Sequence, residues 1–151
     1  MDNTRPVQLD DDARDDFLGT GGTGVLSASR SADEPPFSLP VSYGYDAATG
    51  DVYLRLGFGP DSTKDEAFSD GTPVTLVVSD RIDDGWRSVI AQGRLEEVTE
   101  ASIDSGVVEA MERIHIPLVD VFERHPRELN FRFFSLRGAT LSGRKEARTA
   151  D

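Results

Sequence analysis

Apolar and polar positions alternate in several short runs along this chain, and each run is bounded by Gly, Pro, Asp or Ser. In VLSASRS, Val25, Ser27 and Ser29 alternate with Leu26 and Ala28, which predicts a strand from about Thr23 to Arg30. FSLPVSYGY is a second strand-like run, in which Pro40 implies an edge position or a bulge because proline cannot donate to a ladder. DAATGD reads as a hairpin connection into a third strand, VYLRL. TPVTLVVS predicts a fourth strand and WRSVIAQGRLEEVT a long fifth, with Gly93 marking a bulge or a close backbone approach. LNFRFFSLRGATL predicts a sixth strand or a pair of strands, and GRKEARTAD a disordered polar tail.

Helical signals are fewer. LDDDARDDFLG carries aspartates in its first turn, where the helix dipole favours them, and Gly19 suits a left-handed cap. Ser62 or Thr63 can cap a short helix over Lys64 to Asp70. In TEASIDSGVVEAMERI, Ile103, Val107, Met111 and Ile114 recur at helical spacing, with Pro117 as the stop. GTGGTG precedes a strand instead of following one, so it reads as a turn and not as a dinucleotide fingerprint. Hairpin-joined strands with helices at the front, middle and late in the chain predict a mainly β, α+β fold, a six-stranded antiparallel barrel with peripheral helices. A parallel sheet fits worse, since only one helix is long enough to cross over. Neither linker nor repeat is visible, so residues 1–151 read as one domain, with an ordered core over about 11–144 and a tail over 145–151.

Composition narrows the function classes. The absence of cysteine removes disulfides, thiol catalysis and thiolate metal sites. A formal net charge of -12 argues against binding nucleic acid or an anionic membrane. There is no apolar run of membrane-spanning length, and MDNTRPVQLDDD has no signal-peptide pattern, so a cytoplasmic protein is expected. The acidic clusters, Asp10-Asp11-Asp12 among them, read as a solvated surface rather than a cation site. Abundant aspartate with only two lysines, Lys64 and Lys145, suggests a salt-adapted halophile.

Candidate chemistry is sparse. His115 and His125 lack the spacing of a helical zinc site, and no Gly-x-Ser-x-Gly elbow occurs, so no metal site or hydrolytic triad is expected. Lys64 stands out. It follows a strand end (Leu54, Arg55, Leu56) and a Gly/Pro loop, and it opens a helix behind Ser62 and Thr63. Backbone N–H groups at a helix start, two hydroxyls, this ammonium and Arg55 can together make a phosphate cradle; ordinary capping is the alternative.

GTGGTGVLSAS, FSLPVSYGYDAATGDVYLRL, STKDEAFSDGTPVTLVV and WRSVIAQGRLEEV, in that order, resemble the pyridoxamine 5'-phosphate oxidase-like FMN-binding split-barrel family over about Asp11 to Arg144. The resembling motifs are Pro40–Tyr45, the Ser/Thr-x-Lys element at Ser62-Thr63-Lys64, Ser88–Gly93 and Ser142-Gly143-Arg144. The resemblance, with the acidic composition, is to a haloarchaeal-type member. It implies a homodimer with FMN at the interface and a small-molecule substrate. The flavin contacts would be Pro40, Val41, Ser42, Arg55, Leu56, Ser62, Thr63, Lys64 and Ser88, with Trp86 either near the mouth or packed in core or interface. Arg55 stands where nitroimidazole-reductase-like members often carry His, and the C-terminal substrate motif of true pyridoxamine phosphate oxidases has only Arg137 and Arg144 as stand-ins, so vitamin B6 oxidation is not expected. The expectation is an FMN-dependent oxidoreductase of unknown substrate. The alternatives are a non-catalytic flavin carrier or sensor, a barrel serving only as an interaction module, and a deazaflavin-dependent reductase, whose anionic tail Arg55, Arg81, Arg87 and Arg94 could meet.

Overall fold

A computed structural model of the chain describes residues 4–58, 67–82, 85–99, 104–116 and 130–148. Ser62, Thr63 and Lys64 therefore lie outside the described residues, as do Ile103, Pro117 and His125. The described elements run β1 (Thr4–Gln8), α1 (Asp11–Leu18), β2 (Gly21–Ala28), β3 (Phe37–Asp46), β4 (Asp51–Phe58), β5 (Pro73–Ile82), β6 (Gly85–Val98), α2 (Ser105–Arg113) and β7 (Asn130–Arg148). Every strand pairing is antiparallel. The order β7-β4-β3-β2-β5-β6 closes when β6 pairs back onto β7, giving a six-stranded barrel, and β1 adds to the C-terminal part of β7.

Alternation builds this barrel as the sequence pattern predicts. Leu26 and Ala28, Val41, Tyr43 and Tyr45, Val52, Leu54 and Leu56, Val74, Leu76 and Val78, and Phe134 and Leu136 belong to one buried cluster. Side chains at the intervening positions stand on the outer face. Complete burial of each large apolar side chain stabilises the barrel by about 1.5–3 kcal/mol. α1 is capped by Asp10, which accepts from the Ala13 N–H at 2.8 Å, and ends at Gly19 with φ 61°. It is tied to the barrel by two tyrosines of β3: the Tyr43 hydroxyl donates to the Leu18 carbonyl at 3.0 Å and the Tyr45 hydroxyl to Asp15 at 2.6 Å.

Several sequence expectations need correction. The GTGGTG stretch is not only a turn, because Gly21, Gly22 and Gly24 lie within β2. Close approach explains those glycines: a Cβ on Gly21 would stand 1.8 Å from the His115 carbonyl oxygen, and one on Gly24 2.7 Å from that of Val77. The expected tail is strand as far as Arg148, since β1 pairs with it from Thr4↔Arg148 to Gln8↔Arg144. Of the helix expected to Asp70, Phe68 to Asp70 form bend and turn instead. Phe68 is drawn into the core against Phe37, with ring centroids 5.5 Å apart. α2 buries Ala110, while Val107 and Met111 are only half-buried. The Gly93 irregularity is present as a register shift between Gln92 and Arg94 opposite β7.

Candidate functional site

The β3–β4 ladder runs from Asp46↔Asp51 to Ser42↔Arg55, and among the described residues it goes no further. Beyond that point β3 continues to pair with β2, including Val25↔Pro40, while β4 continues with β7 as far as Phe58↔Asn130. The two strands therefore part at a fork. Pro40, Val41, Ser42, Arg55 and Leu56, five of the residues singled out from sequence, all stand at it. Proline fits there because β4 offers Pro40 no ladder partner. Val41 and Leu56 point into the core, so their contribution to anything on the outer face runs through the backbone. Ser42 and Arg55 face outward side by side, and the Arg55 guanidinium carbon lies 5.2 Å from the Phe131 ring centroid.

Two outward rows pass this fork. One is apolar, linking Ile90, Val77, Val25 and Pro40 through successive cross-strand pairs, and both Ile90 and Val25 are exposed. The neighbouring row is hydroxylic. Thr23 pairs with Ser42, Ser42 with Arg55 and Arg55 with Phe133 at one end, while Ser79 pairs with Ser88 and Ser88 with Arg144 at the other. Ser88 thus shares a row with Ser42 but not a side of the barrel. β3 and β6 are three strand steps apart in a ring of six.

The fork is bounded by a strap, Ile114 to Ile116, that follows α2. The His115 N–H donates to the Thr20 carbonyl at 3.0 Å, and Ile114 and Ile116 lie over Gly44, two residues beyond Ser42 on the same face. Arg113 holds the strap's root by donating from Nε and Nη2 to the two Asp46 oxygens, at 2.9 and 2.7 Å. These hydrogen bonds keep the buried Asp46 carboxyl below the usual carboxylate range against the opposing effect of desolvation, with Thr49 and the Ala48 N–H assisting. Burial pushes the Tyr43 and Tyr45 phenols up to about 12, so both stay protonated and serve as struts. The His115 side chain is exposed.

Sequence reasoning missed Thr23, Phe131, Phe133 and the strap. The signal for the phenylalanines was available in NFRFF, where apolar residues fall on both faces of one strand: Phe134 fills the core while Phe131 and Phe133 are exposed. Arg55, Arg81, Arg87 and Arg94 are spread over β4, β5 and β6, and Arg94 is engaged with the Gly71 carbonyl at 3.1 Å. In one chain they form no single cationic groove. Among the described residues no group of three or more His, Asp or Glu side chains could hold a metal, and no helix is long and apolar enough to cross a membrane. Alongside the apolar row, Ser27, Ser29, Thr75 and Gln92 line an open groove of 410 Å³, whose lining has no charged side chain to meet a phosphate.

Solved structures share this architecture at low sequence identity. The FAD binding protein from Mycobacterium smegmatis is 14% identical, with 95% of this chain and 99% of that chain covered and a TM-score of 0.64. A FAD-binding protein from Mesorhizobium loti is 21% identical, covering 96% of this chain and 99% of the other at a TM-score of 0.63. Such identities establish the fold alone. No curated protein matches the sequence. The family model described as pyridoxamine 5'-phosphate oxidase matches residues 10–145, nearly the whole chain, and this protein belongs to that family.

Proposed function

We propose that this protein is an FMN-binding oxidoreductase that works as a homodimer, with each flavin held between the β3–β4 fork of one copy and the β6 face of the other. The observation that carries this reading is the split of the candidate residues into two groups half a barrel apart. Pro40, Ser42 and Arg55 stand at the fork, and Ser88 stands on the far side beside exposed Ile90. One flat ligand does not reach both groups in one chain, so a second copy would have to supply the second group.

The donor set suits a flavin. Where β3 and β4 part, backbone groups of Val41 and Leu56 border the opening, Ser42 and Thr23 offer hydroxyls, and Arg55 brings a cation stacked on Phe131. Ser62, Thr63 and Lys64, on the segment that leaves β4, would hold the phosphate. Bound flavin would supply the redox chemistry; the chain would bind it, orient its ring and keep water from one face. Both relatives described as FAD-binding make FAD the second reading.

The test is to purify the protein, record its visible spectrum, denature it, and identify the released cofactor by mass. Released FMN, or uptake of added FMN followed by bleaching with NADPH, supports the proposal. A protein that carries and accepts no flavin overturns it. Flavin that is bound but never reduced leaves the binding reading and removes the oxidoreductase.

A further inference from the structure

We infer that the open groove between β2 and β5 is a binding site for an uncharged conjugated carbonyl compound, and that this compound is the oxidoreductase's substrate; the second half of the inference rests on the flavin reading above. The β2–β5 ladder spans only Val25↔Val77 to Ser27↔Thr75. Past it, β2 stays with β3 to Ala28↔Phe37, and β5 stays with β6 to Pro73↔Arg94. The two strands therefore part at a second fork. It opens at the same end of the barrel as the β3–β4 fork, on the other side of the β2–β3 hairpin. Ser27, Ser29, Thr75 and Gln92 line the 410 Å³ at this parting, with Pro36 and Pro73 beside them. Cross-strand pairs link Gln92 to Thr75, Thr75 to Ser27 and Ser27 to Ser38. Each of the four stands two positions along its strand from a member of the apolar row, Ile90, Val77, Val25 and Pro40. The polar row thus runs beside the apolar row on the same outer face, at a spacing of about 7 Å. A ligand in the groove would border the surface on which the flavin ring would lie.

The lining selects the class of ligand. In this chain 29% of residues are charged, yet among the described residues none that lines the groove is. Arg94, opposite Pro73, donates to the Gly71 carbonyl at 3.1 Å and is not part of the lining. An anion would enter without a partner and against a net charge of -12, and a cation would find no carboxylate. What the groove offers is three hydroxyls and one carboxamide, with O–H and N–H groups that can donate. The Ser27 hydroxyl already shares a hydrogen bond with that of Ser38 at 2.7 Å. Gln92 stands at the register shift opposite β7, a kind of irregularity that re-aims side chains. Donors set beside an apolar row match carbonyl oxygens on an otherwise apolar body. A quinone has that form. Two electrons and two protons convert it to the hydroquinone, with NADPH supplying a hydride and solvent the second proton.

Three probes of one skeleton test this: naphthoquinone, its sulfonate, and naphthalene, which has neither carbonyl nor charge. Binding to the purified full chain is measured by equilibrium dialysis, with and without added FMN. Naphthoquinone should bind saturably, about fivefold or more tighter than naphthalene, and the sulfonate more weakly than naphthoquinone. T75V/Q92L, with an unchanged circular dichroism spectrum, should lose about tenfold in naphthoquinone affinity and leave naphthalene unmoved. Q92R should reverse the preference in favour of the sulfonate, which a purely structural role of Gln92 would not produce. No saturable binding, an affinity indifferent to T75V/Q92L, or a preference of the parent chain for the sulfonate would overturn the site. Naphthoquinone that displaces FMN instead of joining it would overturn its assignment as substrate. A chain that takes naphthoquinone but no flavin would support the groove and refute the flavin reading, so the two failures are told apart.

Discussion

Replacing Gly44 by alanine tests how the strap is seated beside the fork. A Cβ at Gly44 would meet Ile114 Cδ1 at 2.8 Å, Ile116 Cγ1 at 2.9 Å and Ile114 Cβ at 3.2 Å. Carbon atoms pack at about 3.5–4.0 Å, so the strap must retreat by roughly 0.5–1 Å. Ile114 Cδ1 and Ile116 Cγ1 can shift only by leaving their packed rotamers, and Ile114 Cβ moves only with the backbone. The strap is anchored by the His115–Thr20 hydrogen bond and the Arg113–Asp46 pair, which resist that movement. Overpacking of this kind costs about 1–3 kcal/mol. Gly44 does not have a positive φ, so alanine recovers about 0.4–1 kcal/mol by restricting the unfolded chain. The net destabilisation is about 1–2 kcal/mol, a fall in Tm of roughly 2–8 °C for a chain of this size. Urea denaturation should show a lower midpoint at unchanged slope. Adding Ile114→Ala should recover part of the loss, a non-additivity expected of touching residues. An unchanged or raised midpoint in G44A, or strict additivity with Ile114→Ala, would refute the packing of the strap on β3.

Two further predictions concern charge and cofactor. Asp46 has its carboxyl held low by Arg113, so its contribution to stability is complete above the unfolded carboxylate pKa of about 3.9 and is lost as pH falls through the lower folded value. D46N should therefore be less stable than the parent at pH 7 and show a flatter decline below about pH 4; urea midpoints measured across pH check this, and an equally steep decline would contradict it. Replacing Thr63 and Lys64 together with alanine should weaken FMN binding by about 1.5–3 kcal/mol, read by titration against the apoprotein, and unchanged affinity in a folded double variant would remove the phosphate cradle.

The barrel was legible in the sequence because alternation with period two fixes which side chains face inward, and β3 to β6 begin and end close to where FSLPVSYGY, VYLRL, TPVTLVVS and WRSVIAQGRLEEVT suggest. Long-range pairing was not legible. β1 is five residues without a clear alternating pattern, and it is a strand because β7 presents an edge from Arg144 to Arg148. The glycines of β2 carry two meanings, and only the fold shows that Gly21 makes room for the His115 carbonyl. At the site, Ser42 and Arg55 could be named from their motifs, but their adjacency depends on the β3–β4 register, and the opposed position of Ser88 on the order of strands round the barrel. Neither property is local, so no window of sequence contains it.

The central claim is that each flavin site takes residues from two chains, and mixing crippled subunits tests it most directly. Arg55→Glu damages the fork, and Ser88→Glu damages the opposite face. If each site joins the fork of one copy to the far face of the other, each homodimer binds no flavin. Unfolded and refolded together in equal amounts, half the dimers are mixed, and each mixed dimer has one site built from two intact faces. The account predicts recovery of about one quarter of the parental flavin absorbance. Recovery of none, from variants that still fold and pair, would contradict it.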